Sequence, residues 1–134
     1  MSEPVGPLSI AVSYDKTTLF VNDTVKATVS VKNNTASTEN MILVTVGIPP
    51  GFEVLTDDLA VYFGSRALSK FELTGKQLTL YVSRLAAAET KSFSYRLRAT
   101  MPVKATDGGG EAYLYYEPTQ RAHAAGTSVE ATAN

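Results

Sequence analysis

The stretch TVKATVSVK, residues 24–32, alternates strictly between polar and apolar side chains. The apolar parity carries Val25, Ala27, Val29 and Val31, while the other parity carries threonine, serine and lysine. Successive side chains of a strand point to opposite faces, so this period of two predicts a strand with one buried and one solvated face. Such a strand requires a second layer that covers its apolar face.

The same period recurs on both sides of this stretch. Shorter alternating runs occupy residues 8–14, 70–73, 77–83, 92–99 and 111–116. Met41–Ile48 is apolar at nearly every position, which predicts a strand covered on both faces. Turn-forming residues such as Pro49-Pro50-Gly51 separate the runs. The pattern predicts an all-β fold, an antiparallel β-sandwich with immunoglobulin-like layering of about seven strands, and it places Tyr116 on the core face of the last one.

One short helix interrupts the strands. Apolar residues spaced four, seven and eight apart form a helical stripe that consists of Leu55, Leu59, Tyr62 and Phe63. Thr56 is a suitable N-cap, and Asp57 and Asp58 complement the positive start of a helix. Gly64 is a suitable stop, so we predict a helix of about two turns between strands of the sandwich.

The composition excludes several classes of function. The 134 residues include 12 Lys+Arg and 13 Asp+Glu, for a net charge of -1, which gives no electrostatic reason to expect a nucleic acid or an acidic membrane as partner. The chain has no cysteine, which excludes disulfides, thiolate metal sites and a cysteine nucleophile. No apolar run approaches the length of about 20 residues that spans a bilayer.

Four features of the sequence could carry chemistry. His123 is the single histidine, but no Gly-x-Ser-x-Gly elbow accompanies it, so an exposed or strand-edge histidine is favoured over a catalytic one. The pair Asp57-Asp58 lacks the further oxygen ligands that a calcium loop needs. The run Asp107–Gly110 lacks the Lys-Ser/Thr of a phosphate loop and is predicted to be a flexible hairpin connection.

The fourth feature is the tyrosine cluster of residues 113, 115 and 116. Such clusters can stack single-stranded nucleic acid, but they then accompany a basic groove, so packing of the rings on the sandwich is favoured. We predict no catalytic, metal or cofactor-binding residue. Lys26, Lys32, Arg96 and Arg98 share the polar parity of their strands and are interpreted as solvated.

Three segments are predicted along the chain. Residues 1–7 contain two prolines and a glycine and are expected to be a flexible N-terminal segment, followed by a sandwich domain over residues 8–124. Residues 125–134 are small and polar and are expected to be a flexible C-terminal tail.

Several of these segments, taken together, resemble a known family. The quoted stretches are VTVGIPPGF at 44–52, FELTGKQLTLY at 71–81, FSYRLRA at 93–99 and EAYLYYEP at 111–118. Their order and spacing resemble the C-terminal receptor-binding domain of α2-macroglobulins and complement-like thioester proteins. The sequences of the segments resemble bacterial members more than vertebrate ones. The resemblance covers roughly residues 8–124. Leu114 stands where the family usually has aspartate.

The resemblance implies a non-catalytic domain of a larger protease-trapping inhibitor. In that family, cleavage of a bait region triggers a conformational change, and a Cys-Gln thioester elsewhere captures the protease. A domain of this kind serves in domain packing and in protein–protein recognition after cleavage. Its implied partners are other domains of the parent protein, the target protease through the parent alone, and a protein receptor of unknown identity. The implied location is extracellular, periplasmic or at the cell surface.

The resemblance also directs attention to the short helix. Vertebrate relatives dock a receptor through two helix lysines, but the corresponding positions here fall near Thr56 and Ala60, which are not basic. The residues of this chain that are expected to contact a partner are instead Asp57, Asp58, Tyr62 and Arg66.

Two other functions remain open at this point. The chain could be a sandwich repeat of a bacterial surface or adhesion protein, since the motif IPPGF also occurs in such repeats. This alternative predicts several tandem copies in the parent protein. An independent enzyme would need activity that depends on His123.

Overall fold

The computed structural model describes residues 8–64, 68–74 and 77–133 and contains twelve strands and one helix in that part of the chain. In chain order they are β1 (Leu8–Tyr14), β2 (Thr18–Phe20), β3 (Thr24–Asn33), β4 (Glu39–Gly47), β5 (Phe52–Val54), α1 (Asp57–Gly64), β6 (Leu68–Leu73), β7 (Gln77–Leu85), β8 (Thr90–Ala99), β9 (Val103–Thr106), β10 (Gly110–Leu114), β11 (Glu117–Ala124) and β12 (Ser128–Thr132). The predicted segment 1–7 lies outside the described residues.

Two antiparallel sheets form the sandwich. The first has the strand order β1-β3-β8-β5, and the second has the order β11-β10-β4-β7-β6. The apolar parity of β3 faces the core as predicted, and Val29 lies opposite Phe93 of β8 with both side chains fully buried. The fold class predicted from the alternation is therefore confirmed, with the seven predicted strands corresponding to β1, β3, β4, β6, β7, β8 and β10.

The third sheet was not predicted. It has the order β2-β12-β9, in which β12 runs parallel to β2 and antiparallel to β9. The segment expected to be a flexible tail, residues 125–134, thus contains a strand, and Val129 and Ala131 are buried in the core cluster. The small and polar composition concealed a period of two, because Val129 and Ala131 alternate with Ser128, Glu130 and Thr132.

The strand β4 is covered on both faces over only part of its length. Ile42 and Val44 are buried in the core, and Leu43 is buried on the opposite face between Tyr81 and Tyr113 of the neighbouring strands. Met41 is instead 38% exposed and has a positive φ of 57°. The prediction for this stretch therefore fails at Met41, where the backbone leaves the regular ladder.

The position predicted for Tyr116 is wrong. The strand β10 ends at Leu114, which pairs with Glu117 of β11, so Tyr115 and Tyr116 form the turn between them. Tyr116 is 68% exposed instead of facing the core. The alternation continued through the turn in the sequence, although the strand itself did not.

The run Asp107–Gly110 is also not a hairpin connection, because it carries the chain from β9 in the third sheet to β10 in the second. Asp107 is 5% exposed, and its Oδ1 accepts hydrogen bonds from the backbone N–H groups of Gly109 at 2.8 Å and Thr127 at 2.9 Å. Its Oδ2 accepts the hydroxyl of Tyr14 at 2.5 Å. Glycine is required nearby, since a Cβ on Gly47 would lie 1.5 Å from the Asp107 carbonyl oxygen.

Candidate functional site

The helix α1 connects β5 to β6, which are the outermost strands of the two main sheets, and packs against β8 and β6. Its bounds agree with the prediction. The carbonyl of Thr56 accepts the N–H groups of Leu59 at 3.0 Å and Ala60 at 3.3 Å, as expected at the start of a helix. Leu59 is fully buried in the core and fixes the helix to the sandwich.

Asp58 is clamped by Arg96 of β8. Arg96 donates from its backbone N–H and from Nε to Oδ2 of Asp58, both at 2.9 Å, and from Nη2 to Oδ1 at 3.0 Å. These bonds lower the pKa of Asp58 below its ordinary value and raise the pKa of Arg96. Arg96 is exposed, as its parity predicts, and it also orients the first turn of α1.

Tyr62 anchors the second turn of α1. Its hydroxyl accepts the backbone N–H of Ser94 at 2.8 Å, and its ring meets that of Phe93 edge-on at 5.1 Å and 81°. Tyr62 is half-buried, so its ring contributes to holding the helix on β8 as well as to the surface beside it.

The predicted contact residues are brought together in part. Asp58 and Tyr62 line a groove of about 380 Å³ between α1 and β8, together with Lys26 and Val61. Val61 is 68% exposed, and Asp57 is exposed on the first turn of the helix. Arg66 lies outside the described residues. The arrangement presents one carboxylate, one ammonium group and an apolar rim beside a rigidly held helix.

A second exposed surface is not evident from the sequence, because the alternation assigns its residues to strands of the sandwich. Tyr115 is 60% exposed and meets Tyr116 edge-on, with ring centroids 5.9 Å apart at 88°. The backbone N–H of Tyr115 donates to the Met41 carbonyl at 2.9 Å, so the turn is tied to the distorted part of β4. We call Met41, Tyr115 and Tyr116 the aromatic turn. Its signal in the sequence is three large apolar residues at the limits of two predicted strands: Met41 begins one strand, and Tyr115 and Tyr116 end the other.

His123 lies on the outer face of the second sheet. It pairs with Glu111 across β10 and β11, and its Nδ1 lies 3.5 Å from Oε1 of Glu111. Both side chains border a polar groove of about 390 Å³ beside the glycine run 108–110. In the described parts of the chain, no three His, Cys, Asp or Glu side chains are grouped so as to hold a metal ion.

Two further observations concern membrane-spanning helices and a glycosylation pattern. Within residues 8–64, 68–74 and 77–133, no helix is long and apolar enough to cross a membrane. The stretch Asn33-Asn34-Thr35 matches the N-glycosylation pattern Asn-x-Thr, but Asn33 is fully buried and donates from Nδ2 to the carbonyl oxygens of Ser37 and Leu85. Its amide is therefore occupied within the fold.

Comparisons with known proteins bear on this arrangement. A family model described as the A-macroglobulin receptor binding domain matches residues 37–125. No curated protein sequence matches the chain.

Solved structures with the same fold include two bacterial macroglobulins. Native alpha-2-macroglobulin from Escherichia coli, spanning domain MG7 to the C-terminus, has a TM-score of 0.78 and 18% identity, and the match covers 98% of this chain and 25% of that one. Salmonella alpha-2-macroglobulin reacted with methylamine has a TM-score of 0.79 and 17% identity, with coverage of 98% and 10%. The chain therefore spans a quarter or less of these proteins.

A single-domain structure is also similar. The CARDB domain of a Pyrococcus furiosus protein, solved in complex with di-metal ions, has a TM-score of 0.56 and 13% identity. The match covers 100% of this chain and 100% of that one. At this identity the likeness shows the fold alone.

Proposed function

Because the chain belongs to the A-macroglobulin receptor binding domain family, we propose that it is the non-catalytic C-terminal domain of a larger protease-trapping inhibitor. In this role the domain packs against other domains of its parent and contributes a surface for protein recognition after the bait region is cleaved. The parent protein would act outside the cytoplasm, in the extracellular space, in the periplasm or at the cell surface.

The observation that carries the packing role is the aromatic turn. Met41, Tyr115 and Tyr116 all expose large apolar side chains, the Tyr115 N–H donates to the Met41 carbonyl, and the two tyrosine rings meet edge-on. Exposed apolar groups in contact with one another are typical of surfaces that a partner covers. Aromatic side chains that are already ordered lose little conformational entropy on association, so they are effective anchors at an interface.

The recognition role is assigned to the groove beside α1. Asp58 and Tyr62 are fixed by β8, so this surface is held in one geometry before a partner arrives. Val61 and Asp57 project from the exposed side of the helix and offer one apolar contact and one charge. The contacts proposed for a partner are therefore Asp57, Asp58 and Tyr62, together with Arg66, which lies outside the described residues.

The packing role is tested by hydroxyl-radical footprinting of the full-length parent beside the isolated chain. Tyr115, Tyr116 and Met41 are expected to be labelled strongly in the isolated chain and weakly in the intact parent. Met101, which is exposed on the loop before β9, serves as the internal reference. Equal labelling of the aromatic turn in both samples would contradict packing through this surface.

The trapping role is tested separately on the parent. Incubation with a protease is expected to cleave the bait region and to retain the protease in a covalent complex. The reading frame upstream of residue 8 is expected to encode macroglobulin domains and a thioester domain. Tandem copies of this sandwich without a thioester domain would instead support the adhesion-repeat alternative.

A further inference from the structure

The outer face of the first sheet carries a regular array of hydroxyl groups. Thr28 Oγ1 and Ser94 Oγ lie 3.1 Å apart across β3 and β8, and Ser30 Oγ and Ser92 Oγ lie 2.8 Å apart one step further along. The strand β1 extends the array through Ser13, which pairs with Thr28 in the register of the sheet. We call the five residues Ser13, Thr28, Ser30, Ser92 and Ser94 the hydroxyl face.

Two lysines stand at the ends of this face. Lys26 and Lys32 share the parity of Thr28 and Ser30 on β3, and both are exposed. Six residues of extended strand separate them, which corresponds to about 20 Å. A groove of about 380 Å³ adjoins Lys26, and another of about 220 Å³ adjoins Lys32.

Among the described residues, the two ammonium groups are charges of this face that form no ion pair. The guanidinium groups at its edge are already paired, Arg96 with Asp58 and Arg98 with Glu53. Across the described residues, no carboxylate forms an ion pair with Lys26 or Lys32. Asp15 accepts the backbone N–H of Lys26 at 2.9 Å and keeps its charge beside that lysine, so Lys32 is the less compensated of the two.

The chemistry of the face indicates what it can bind. The exposed large apolar side chains lie on other surfaces, except that Val61 of α1 lies at the border of this face. The others are Phe20, Met41, Leu73, Met101, Tyr115 and Tyr116. Protein interfaces are usually centred on buried apolar or aromatic anchors, and among the described residues this face has them only at its border with α1, where Val61 and Tyr62 lie. A partner rich in hydroxyl groups can instead exchange hydrogen bonds with the serine and threonine array.

From this combination we propose that the hydroxyl face binds a linear carboxylated glycan that runs along β3. Its carboxylates contact Lys26 and Lys32, and its sugar hydroxyls contact the hydroxyl face between them. The separation of the lysines suits two disaccharide units of an extended chain with one carboxylate per disaccharide. The proposal does not rest on the packing or trapping roles, because it does not use the aromatic turn; it shares only Lys26 and Ser94 with the groove beside α1.

The probe is a hyaluronan octasaccharide, which carries one carboxylate per disaccharide and no sulfate. We expect the 134-residue chain to bind it saturably at low ionic strength and more weakly as salt is added. Lys26→Ala and Lys32→Ala are each expected to weaken binding about threefold, and the double variant about tenfold. Lys104→Ala, on the exposed side of β9 in the third sheet, is the matched control and is expected to bind normally.

Further arms separate the glycan from other polyanions. Ser30→Ala combined with Ser92→Ala is expected to weaken octasaccharide binding and to leave its salt dependence unchanged, because charge is not altered. Poly-glutamate of equal charge is expected to bind more weakly than the octasaccharide. Absence of saturable octasaccharide binding, equal binding of poly-glutamate, or an equal loss in Lys104→Ala would each overturn the proposal. All variants are first compared by thermal unfolding. Nearly unchanged midpoints are expected, because the substituted lysines are exposed and the two serines lie on the outer face of the sheet.

Discussion

The hydroxyl of Tyr14 at the end of β1 donates a 2.5 Å hydrogen bond to Oδ2 of Asp107, which lies 93 residues further along the chain. The same carboxylate accepts two backbone N–H groups through Oδ1. Asp107 therefore joins the first sheet, the crossing between the third and second sheets, and the loop before β12. A buried carboxylate without a cation is stable only when donors satisfy it, and here three donors do so.

We expect substitutions at this junction to reduce stability in proportion to the donors lost. Tyr14→Phe removes one hydrogen bond to a charged group and is expected to cost about 1.5–3 kcal/mol in the free energy of unfolding. Asp107→Ala leaves three donors without their acceptor and is expected to cost more than Tyr14→Phe. Urea unfolding measures both. Tyr115→Phe, at an exposed turn, is the control and should change the free energy by less than about 0.5 kcal/mol.

The same region predicts a loss of stability in alkali. Burial raises the pKa of Tyr14, with the hydrogen bond to Asp107 as the second cause, and burial followed by the charge of Asp107 raises the pKa of Tyr95. In the unfolded chain both phenols ionise near their ordinary value of 10.0, so above that pH the unfolded state binds fewer protons than the folded state. The stabilisation is therefore complete below pH 10 and decreases as the pH rises further.

The alkaline loss is measured as the urea midpoint between pH 8 and pH 11. Tyr14→Phe is expected to lower the midpoint at pH 8 and to flatten its decline above pH 10, because one of the two buried phenols is gone. A decline as steep as that of the unmodified chain would show that Tyr14 does not titrate differently in the folded and unfolded states.

The parity of β3 yields a direct comparison of two adjacent positions. Val29→Asp is expected to prevent folding, because it places an unpaired charge in the fully buried core opposite Phe93. Thr28→Asp is expected to cost only about 1 kcal/mol, since it loses one hydroxyl contact with Ser94 on the outer face. Circular dichroism and thermal unfolding measure both variants. Equal losses would contradict the assignment of the two faces.

The parity of β3 was predictable from the sequence because it depends only on the pleat of a strand. The same holds for α1, whose spacing and acidic first turn are local signals. The pairs Tyr14–Asp107 and Asp58–Arg96 were not predictable, because each joins residues far apart in the chain whose meeting depends on the register of the sheets. The exposed aromatic turn was missed for a related reason, since alternation does not reveal where a strand reverses.

The clamp on α1 predicts different outcomes for the two neighbouring aspartates. Asp58→Asn removes the charge that Arg96 contacts and is expected to increase amide hydrogen exchange over residues 58–62 several-fold. Asp57→Asn, at an exposed position, is the control and should leave exchange nearly unchanged. Because the pKa of Asp58 is lowered in the folded state, the clamp is complete above its ordinary pKa of 3.8 and is lost as the pH falls below it. Faster exchange in Asp57→Asn than in Asp58→Asn would contradict the assignment.

Removal of residues 125–134 tests whether the third sheet is part of the domain. The deletion exposes the core around Val129 and Ala131, and it takes away the Thr127 N–H that donates to Asp107. Burial of one valine contributes about 1.5–3 kcal/mol, so together with the lost hydrogen bond we expect the free energy of unfolding to fall by about 3 kcal/mol or more. Deletion of residues 133 and 134 alone is the matched control, because it ends the chain just after β12. Urea unfolding compares the two. Equal midpoints would mean that β12 adds nothing to the core. The folded domain would then extend only to Ala124, as the small and polar composition of residues 125–134 predicts.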